Sequence, residues 1–363
     1  MMIQLQKRHY IKIHKMGDHM IFDNLEFHNV MELQKIEGLA GVRLQRYPES
    51  VRNELGYKDL MKGRIVSQNS NGCEIRFVTD AKHIRLYLSS LDSDGEIIVY
   101  NGTFFHSIHT FKSGAVKAID LEENERFDEI LPEMLQGYAF SHKVWRIFMS
   151  KRSSVVYHGI DTYGYTRRPP LESEKPKLRW LAYGSSITQG LNATSHNKAY
   201  IQQAAMRLGV DVLNQGLSGT CYCEKAVADY IANRNDWDFV TLELGVNMRG
   251  PFTTEQFEAR ASYLIKTVAD KHPDKPIFVI TIYPNRAVYF KNEQDVFRVR
   301  NEEFIQKLHS ICNELNRKNI HLIKGDTILT DFSALSSDLI HPSDYGHTIM
   351  GENLAKQIKD IMF

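Results

Sequence analysis

The sequence is organised around Leu178-Arg-Trp-Leu-Ala-Tyr-Gly-Ser-Ser-Ile-Thr-Gln-Gly190. This stretch begins as a short apolar run, which is typical of a strand buried in a parallel sheet. The run stops at Gly184-Ser185-Ser186, where small residues allow a tight turn and leave a hydroxyl at the end of the strand. Ligands bind at the carboxyl ends of strands in open α/β sheets, so a serine here can be a nucleophile if a base reaches it. Taken alone, the same residues also fit an ordinary turn and helix cap.

The composition is that of a globular protein, with 42% hydrophobic and 25% charged residues. At 363 residues the chain is long enough for two domains. Lys and Arg number 45 against 44 Asp and Glu, which gives a net charge of +1. This balance offers no electrostatic reason to expect nucleic acid or an anionic membrane as a partner.

The amino-terminal stretch is mildly basic, with Lys7, Arg8, Lys12 and Lys15, but lacks the apolar core of a signal peptide. No apolar run approaches the roughly 18 residues that a membrane span needs. Four cysteines are too few for a disulfide framework. We therefore expect a cytoplasmic protein that lacks membrane association.

Short alternating strands separated by turns dominate the first part of the chain. Ile75 and Phe77 alternate with charged neighbours, and Ile84, Leu86 and Leu88 repeat the pattern. This pattern predicts an antiparallel β-sandwich over residues 1–165. Residues 166–177, which contain three prolines and many charges, are predicted to be a linker.

From Leu178 onward, strands alternate with helices, which predicts a parallel sheet covered on both faces over 178–363. The predicted strands are 178–184, 211–217, 239–245, 276–283 and 320–325, and the predicted helices are 197–208, 223–234, 254–272, 293–317 and 343–361.

Chemically useful residues follow several of these strands. Gly219, after the second strand, can present its backbone N–H without a side chain in the way. Asn247, after the third, carries a neutral amide donor. Asp338 and His341 lie three residues apart before the last helix, a spacing that lets the acid orient the ring as a general base. With Ser186, these residues are expected to meet at one edge of the sheet.

The order Ser, Gly, Asn, Asp-x-x-His resembles the SGNH hydrolases, also called the GDSL esterase and lipase family. The matching blocks are 183–190, 214–220, 245–247 and 338–342. The resemblance implies a flavodoxin-like parallel sheet, and the preceding module is similar to the jelly-roll-like sandwich of some bacterial carbohydrate esterases. Two positions depart from the family pattern: Ser185 stands where the family has Asp, and Met248 stands where Asp often follows the asparagine.

Carried over to this chain, the resemblance implies a role for each residue. Ser186 is the nucleophile, His341 the general base, and Asp338 the acid that orients the imidazole. The oxyanion hole consists of the N–H groups of Ser186 and Gly219 and the side-chain amide of Asn247. No metal or cofactor is implied.

We therefore expect a serine esterase that removes short acyl groups, acetyl above all, from acylated saccharides. Tyr222, Met248 and Arg249, near the inferred oxyanion hole, suit a short acyl group beside a polar alcohol. The alternatives are a lipase or acyltransferase of the same family, or a non-catalytic carbohydrate-binding protein. The oligomeric state stays open.

Three other features of the sequence are expected to have structural rather than catalytic or metal-binding roles. The pair Cys221 and Cys223 lacks a second pair at the spacing of a zinc site. Asp344 and His347 repeat the three-residue spacing inside the last helix, where polar side chains more often cap the helix or face solvent. Trp145 is expected to be core.

Overall fold

The computed structural model describes residues 14–16 and 19–363. Lys7, Arg8 and Lys12, in the stretch that was judged not to be a signal peptide, lie outside the described residues. No helix in the described part of the chain is long and apolar enough to cross a membrane.

The first part of the chain forms two antiparallel sheets. Its strands are β1 (His14–Met16), β2 (His19–Phe22), β3 (Leu25–His28), β4 (Glu32–Gln34), β5 (Val42–Gln45), β6 (Glu74–Thr79), β7 (His83–Ser90), β8 (Gly95–Asn101), β9 (Phe104–Phe111), β10 (Lys117–Glu122), β11 (Trp145–Met149), β12 (Val155–Asp161) and β13 (Arg167–Arg168). One sheet has the order β1-β2-β3-β6-β11-β8-β9, with β13 paired to β6, and the other has the order β10-β7-β12-β5-β4. Two short helices, α1 (Glu49–Arg52) and α2 (Lys62–Val66), interrupt the strands.

The two sheets share one apolar core, as a sandwich requires. Ile75 and Ile147 of the first sheet belong to the same buried cluster as Leu86 and Val155 of the second. The predicted sandwich is confirmed. Trp145 is 3% exposed and lies in this core, as expected.

The second part is a parallel sheet with helices on both faces. Its strands are β14 (Arg179–Gly184), β15 (Asp211–Gly216), β16 (Phe239–Glu243), β17 (Ile277–Ile280) and β18 (Ile320–Ile323). Its helices are α3 (Ser186–Gln189), α4 (Tyr200–Leu208), α5 (Lys225–Ala232), α6 (Thr254–Lys271), α7 (Val296–Leu315), α8 (Gly325–Ile328) and α9 (Asp344–Met362). The strand order β15-β14-β16-β17-β18 is the flavodoxin-like order that was predicted.

Each face of this sheet has its own core. Val227 of α5, Leu264 of α6 and Leu308 of α7 pack in one cluster, and Ala204 of α4 and Leu354 of α9 pack in the other. The inner strand β14, which lies between β15 and β16, therefore ends in a turn that is held from both sides. This turn carries the two serines.

The sandwich packs along the outer edge of β15. The carbonyl oxygens of Val212, Asn214 and Gly216 accept hydrogen bonds from the sandwich: His28 Nε2 bonds Val212 at 2.8 Å, and Arg46 Nη1 bonds the other two at 2.9 and 3.1 Å. Because alternate carbonyls of an edge strand point away from its sheet, these side chains complete the hydrogen bonding of β15.

A buried ion cluster joins the same two parts. Arg76 of β6 makes a bidentate contact with Asp211 of β15, at 2.6 and 2.8 Å, and also contacts Glu74 at 2.6 Å. Arg76 is fully buried. The sandwich and the parallel sheet are therefore connected by charges that are inaccessible to water.

The segment 166–177, predicted to be a linker, contains two ion pairs. Arg168 of β13 makes a bidentate contact with Glu174 at 2.7 and 2.8 Å, and Lys175 Nζ lies 2.7 Å from Glu26 Oε2 with its side chain buried. One of these ion pairs lies within the segment, and the other, from Lys175 to Glu26, connects the segment to the sandwich.

Candidate active site

The nucleophile turn follows β14 directly. Ser185 caps α3, because its hydroxyl accepts a hydrogen bond from the Ile187 N–H at 3.1 Å. Ser186 is the first residue of α3, and its Oγ lies 2.8 Å from Nε2 of His341. The two adjacent serines therefore face different partners, and Ser186 alone bonds the histidine.

Asp338 and His341 share a tight turn before α9. Asp338 Oδ2 lies 2.7 Å from His341 Nδ1, and its Oδ1 accepts the His341 N–H at 3.0 Å. Between them Leu339 has a φ of +57°, a conformation that non-glycine residues rarely adopt. The Arg286 N–H donates to the Leu339 carbonyl at 2.7 Å and anchors the turn. The strained turn brings the acid back onto its own histidine.

The carboxylate form of Asp338 is strongly favoured. Its partial burial raises its pKa, but hydrogen bonds from the His341 N–H and ring and from the Ile340 N–H outweigh burial and lower the pKa to about 2. The carboxylate must therefore accept from Nδ1–H, which leaves Nε2 free to accept the Ser186 proton. This chain of bonds can deprotonate a hydroxyl during attack on a carbonyl carbon.

Two further sequence-predicted residues lie on the adjoining loops. Gly219 has a φ of +72°, in the left-handed region, and its N–H has no acceptor among the described residues. The Asn247 side-chain oxygen accepts the Cys221 N–H at 3.1 Å, and its amide nitrogen donates to no atom of the described residues. These are the donors that an oxyanion would require.

The sequence interpretation missed a residue that ties these loops together. The Gln189 side-chain oxygen accepts the Ser218 N–H at 2.8 Å, and its nitrogen donates to Asn71 Oδ1 at 3.0 Å. The Asn71 amide returns a bond to the Gln189 carbonyl at 3.2 Å. The nucleophile turn, the Gly219 loop and the sandwich are thus linked through one glutamine.

A buried acid below the nucleophile turn was also missed. Glu243, the last residue of β16, is 1% exposed, and its Oε2 accepts the Ser185 N–H at 2.6 Å and the Thr188 hydroxyl at 3.1 Å. Its Oε1 has no hydrogen-bond partner among the described residues. Burial raises the Glu243 pKa to about 7, although the hydrogen bonds from Ser185 and Thr188 act in the opposite direction and lower it. The signal in the sequence was a single charged residue at the end of a buried strand, Phe239-Val-Thr-Leu-Glu243.

Two cations of the sandwich part border the Gly219 loop. A Cβ atom added to Gly219 would lie 3.1 Å from Lys62 Nζ, and Arg152 Nη1 lies 3.5 Å from Ser218 Oγ. Because more than 60 residues separate each cation from this loop in sequence, local patterns could not have found them. The sandwich thus contributes side chains beside the site.

One expectation about a neighbouring residue is wrong. His347, expected to cap a helix or face solvent, is fully buried, and burial lowers its pKa to about 4. Met248 is fully buried in a core cluster that also contains Tyr222, and Arg249 is 4% exposed, so the suitability of these three for a short acyl group stays a prediction. Cys221 is buried as well, and no group of three or more potential metal ligands occurs in the described part of the chain.

Comparison with known proteins identifies the family of the second part of the chain. The model of the GDSL-like Lipase/Acylhydrolase family matches residues 177–359. This match confirms the resemblance that the four sequence blocks predicted. No curated protein matches the chain.

Solved structures share the whole two-part architecture. The salicylyl-acyltransferase SsfX3 from a tetracycline biosynthetic pathway is 15% identical over 93% of this chain and 95% of its own, with a TM-score of 0.77. A family two carbohydrate esterase from Clostridium thermocellum, in complex with cellohexaose, is 15% identical over 80% of this chain and 92% of its own, with a TM-score of 0.55. A family two carbohydrate esterase from Corynascus thermopiles (Myceliophthora fergusii) is 17% identical over 80% and 94%, with a TM-score of 0.57. At these identities the likeness concerns the fold.

Proposed function

This chain belongs to the GDSL-like lipase/acylhydrolase family and is a carboxylic ester hydrolase, and from that premise we propose that it is a serine esterase with Ser186, His341 and Asp338 as its catalytic residues. The observation that carries the proposal is the unbroken chain of hydrogen bonds from the Ser186 hydroxyl through His341 to Asp338, at 2.8 and 2.7 Å. Serine hydrolases on unrelated folds use the same three roles.

The reaction follows from these contacts. Ser186 Oγ attacks the ester carbonyl carbon while His341 Nε2 takes the hydroxyl proton, and the carbonyl oxygen becomes an oxyanion. The C–O bond to the alcohol then breaks, and His341 returns the proton to the departing alcohol oxygen. Water, deprotonated by His341, then attacks the acyl carbon. The bond from that carbon to Ser186 Oγ breaks, His341 returns the proton to Oγ, and the carboxylic acid leaves. Asp338 keeps the imidazole oriented and stabilises its charged form.

The oxyanion is held by the N–H groups of Ser186 and Gly219 and by the Asn247 amide. Two features support this assignment. The Gly219 N–H has no acceptor among the described residues, and the hydrogen bond from the Cys221 N–H to the Asn247 side-chain oxygen fixes the orientation of the Asn247 amide. Donors that are already oriented need no reorganisation as charge develops.

The proposed substrate is a short-chain acyl ester, in the first instance an acetyl ester of a saccharide. Two of the similar folds belong to carbohydrate esterases, one of them in complex with cellohexaose. Among the folds compared above, the highest TM-score belongs to an acyltransferase, and acyl transfer to an acceptor other than water is therefore the second candidate function.

The nucleophile is tested with a pair of neighbouring variants. Ser186→Ala should reduce kcat by about 10⁴ or more, because it removes the attacking oxygen. Ser185→Ala is the matched control: it removes a helix cap worth about 1 kcal/mol but leaves the Ser186–His341 bond. A fluorophosphonate probe should label wild type and Ser185→Ala but not Ser186→Ala. The reverse ranking would show that the other serine is the nucleophile.

The substrate is tested with aryl esters from acetate to palmitate, together with acetylated xylose. Rates should peak at two to four acyl carbons, and acetate should be released from the sugar. A peak at eight carbons or more, without attack on the sugar ester, would favour a lipase. Adding a competing alcohol and measuring the new ester tests for transfer.

A further inference from the structure

A cavity of about 290 Å³ lies beside the turn that carries His341. Its walls include Arg249, Arg286, Phe290, Phe297 and Ile340. Two of these residues are cations, two are aromatic, and Ile340 immediately precedes the histidine. The cavity therefore combines positive charge with apolar walls next to the proposed general base.

Arg249 is a buried cation whose partners are all neutral. Its Nη1 donates to the side-chain oxygens of Asn285 and Asn301, at 2.9 and 2.7 Å, and its Nε donates to the Val246 carbonyl at 3.2 Å. It forms no ion pair with a described residue, and its Nη2 donates to no described atom. A buried charge is ordinarily paired, so this guanidinium has capacity for an anion.

Burial, and then the charge of Arg286, lower the Arg249 pKa to about 10. At neutral pH the group is therefore still positively charged. Asp295, the one carboxylate of the cavity wall, uses Oδ1 to accept the Phe297 N–H at 2.8 Å and so caps α7. Two cations against one carboxylate leave the cavity with a positive excess.

Arg286 connects the cavity to the catalytic turn. Its N–H donates to the Leu339 carbonyl at 2.7 Å, and its Nη1 donates to the Asp338 carbonyl at 3.4 Å. In the described part of the chain it has no carboxylate partner. The group on the His341 side of an ester is the alcohol, because His341 must protonate the departing oxygen. Ile340 of the cavity wall adjoins His341 in the chain, and this adjacency is the basis for placing the alcohol at the cavity.

We propose that this cavity binds a carboxylate carried on the alcohol portion of the substrate, held by Arg249 and Arg286 between the two phenylalanine rings. The natural alcohol is then a hydroxy acid with a compact ring, a class that includes sugar acids. This inference rests on the proposed function, because it uses Ser186 and His341 to define the alcohol side.

The test compares 4-acetoxybenzoate, whose alcohol carries a carboxylate, with neutral phenyl acetate. The quantity measured is the ratio of kcat/KM for the two esters, so that changes common to both cancel. Arg286→Gln and Arg249→Gln should each lower this ratio about tenfold or more, since a hydrogen bond to a charged group is lost. Arg249→Lys should restore part of the preference.

Two further measurements keep the outcome clear. Arg207→Gln removes an exposed cation on α4 that pairs with Glu352 and should leave the ratio unchanged. Calorimetric binding of 4-hydroxybenzoate to the Ser186→Ala variant reports the site without catalysis, and Arg286→Gln in that background should weaken binding about tenfold. Arg286 is exposed, so its variant remains informative even if Arg249→Gln fails to fold.

The results separate the two claims. If both esters are hydrolysed through Ser186 and the ratio is unaffected by the arginine variants, the carboxylate site is wrong and the esterase stands. If neither ester is hydrolysed but 4-hydroxybenzoate binds in an Arg286-dependent way, the site stands and the esterase proposal fails. If the arginine variants instead impair monophenyl succinate, whose carboxylate is on the acyl side, the alcohol assignment is overturned.

Discussion

Replacing Glu243 with glutamine should change how stability depends on pH. The carboxyl is buried below the nucleophile turn, and burial raises its pKa from an ordinary value of 4.5 to about 7. Between these values the unfolded chain releases the proton and the folded chain keeps it, so the free energy of unfolding falls as pH rises. At about 1.4 kcal/mol per pKa unit, the total loss is about 3 kcal/mol, of which about 2.5 falls between pH 5 and pH 8.

Glutamine cannot ionise, so Glu243→Gln should escape this loss. Its side-chain oxygen can still accept from the Ser185 N–H and the Thr188 hydroxyl, as Glu243 does. We expect the variant to be slightly less stable than wild type at pH 5, and to gain about 2.5 kcal/mol relative to wild type by pH 8. Urea unfolding at half-unit pH steps measures this difference.

A second buried acid provides an independent comparison. Burial raises the Glu224 pKa to about 7 as well, and its Oε1 accepts the Gly56 N–H at 3.1 Å. Because Glu224 and Glu243 share no hydrogen-bond partner, the gains of Glu224→Gln and Glu243→Gln should add in the double variant. A wild-type-minus-variant difference that stays flat from pH 5 to pH 8 would refute the reasoning for Glu243.

Three further predictions concern catalysis and folding. Asn247→Ala should lower kcat by about 10²–10³ with KM little changed, and an effect confined to KM would make it a ground-state contact. Asp338→Asn should lower kcat by about 10³–10⁴, since an amide no longer stabilises the charged His341 ring; normal steady-state rates would contradict this role. Arg76→Met should destabilise the protein by about 3–5 kcal/mol in urea unfolding, because it leaves the buried Asp211 carboxylate without its arginine, whereas Arg85→Met, which removes an exposed ion pair with Asp120, should cost much less.

Site residues that belong to short local sequence patterns could be predicted from the sequence. The run that ends at Ser186, and the three-residue spacing of Asp338 and His341, are local patterns, and the structure brings these side chains within hydrogen-bond distance. Their catalytic roles remain predictions. The strand and helix pattern after Leu178 likewise gave the correct sheet, because hydrophobic periodicity is a local signal.

Features that depend on distant contacts escaped sequence reasoning. Lys62 reaches the Gly219 loop only because the sandwich packs beside β15, and no spacing rule links the two. His347 appeared polar and therefore exposed, but its Nε2 donates to the Leu191 carbonyl at 3.1 Å, which satisfies it inside the protein. Charge content made 166–177 resemble a linker, although Lys175 is buried against Glu26. In each case a tertiary partner overrode the local tendency.

The side chains that saturate the outer carbonyls of β15 have a consequence for how this chain can be divided. A chain shortened to begin at Leu178 would lose His28, Arg46 and their neighbours, and its catalytic sheet would present an open strand edge. Open edges invite a second copy to add a strand, so the shortened chain should self-associate rather than persist as an active monomer. The sandwich therefore prevents a second chain from adding a strand to β15. Because the two parts share these hydrogen bonds, they should unfold in one cooperative transition.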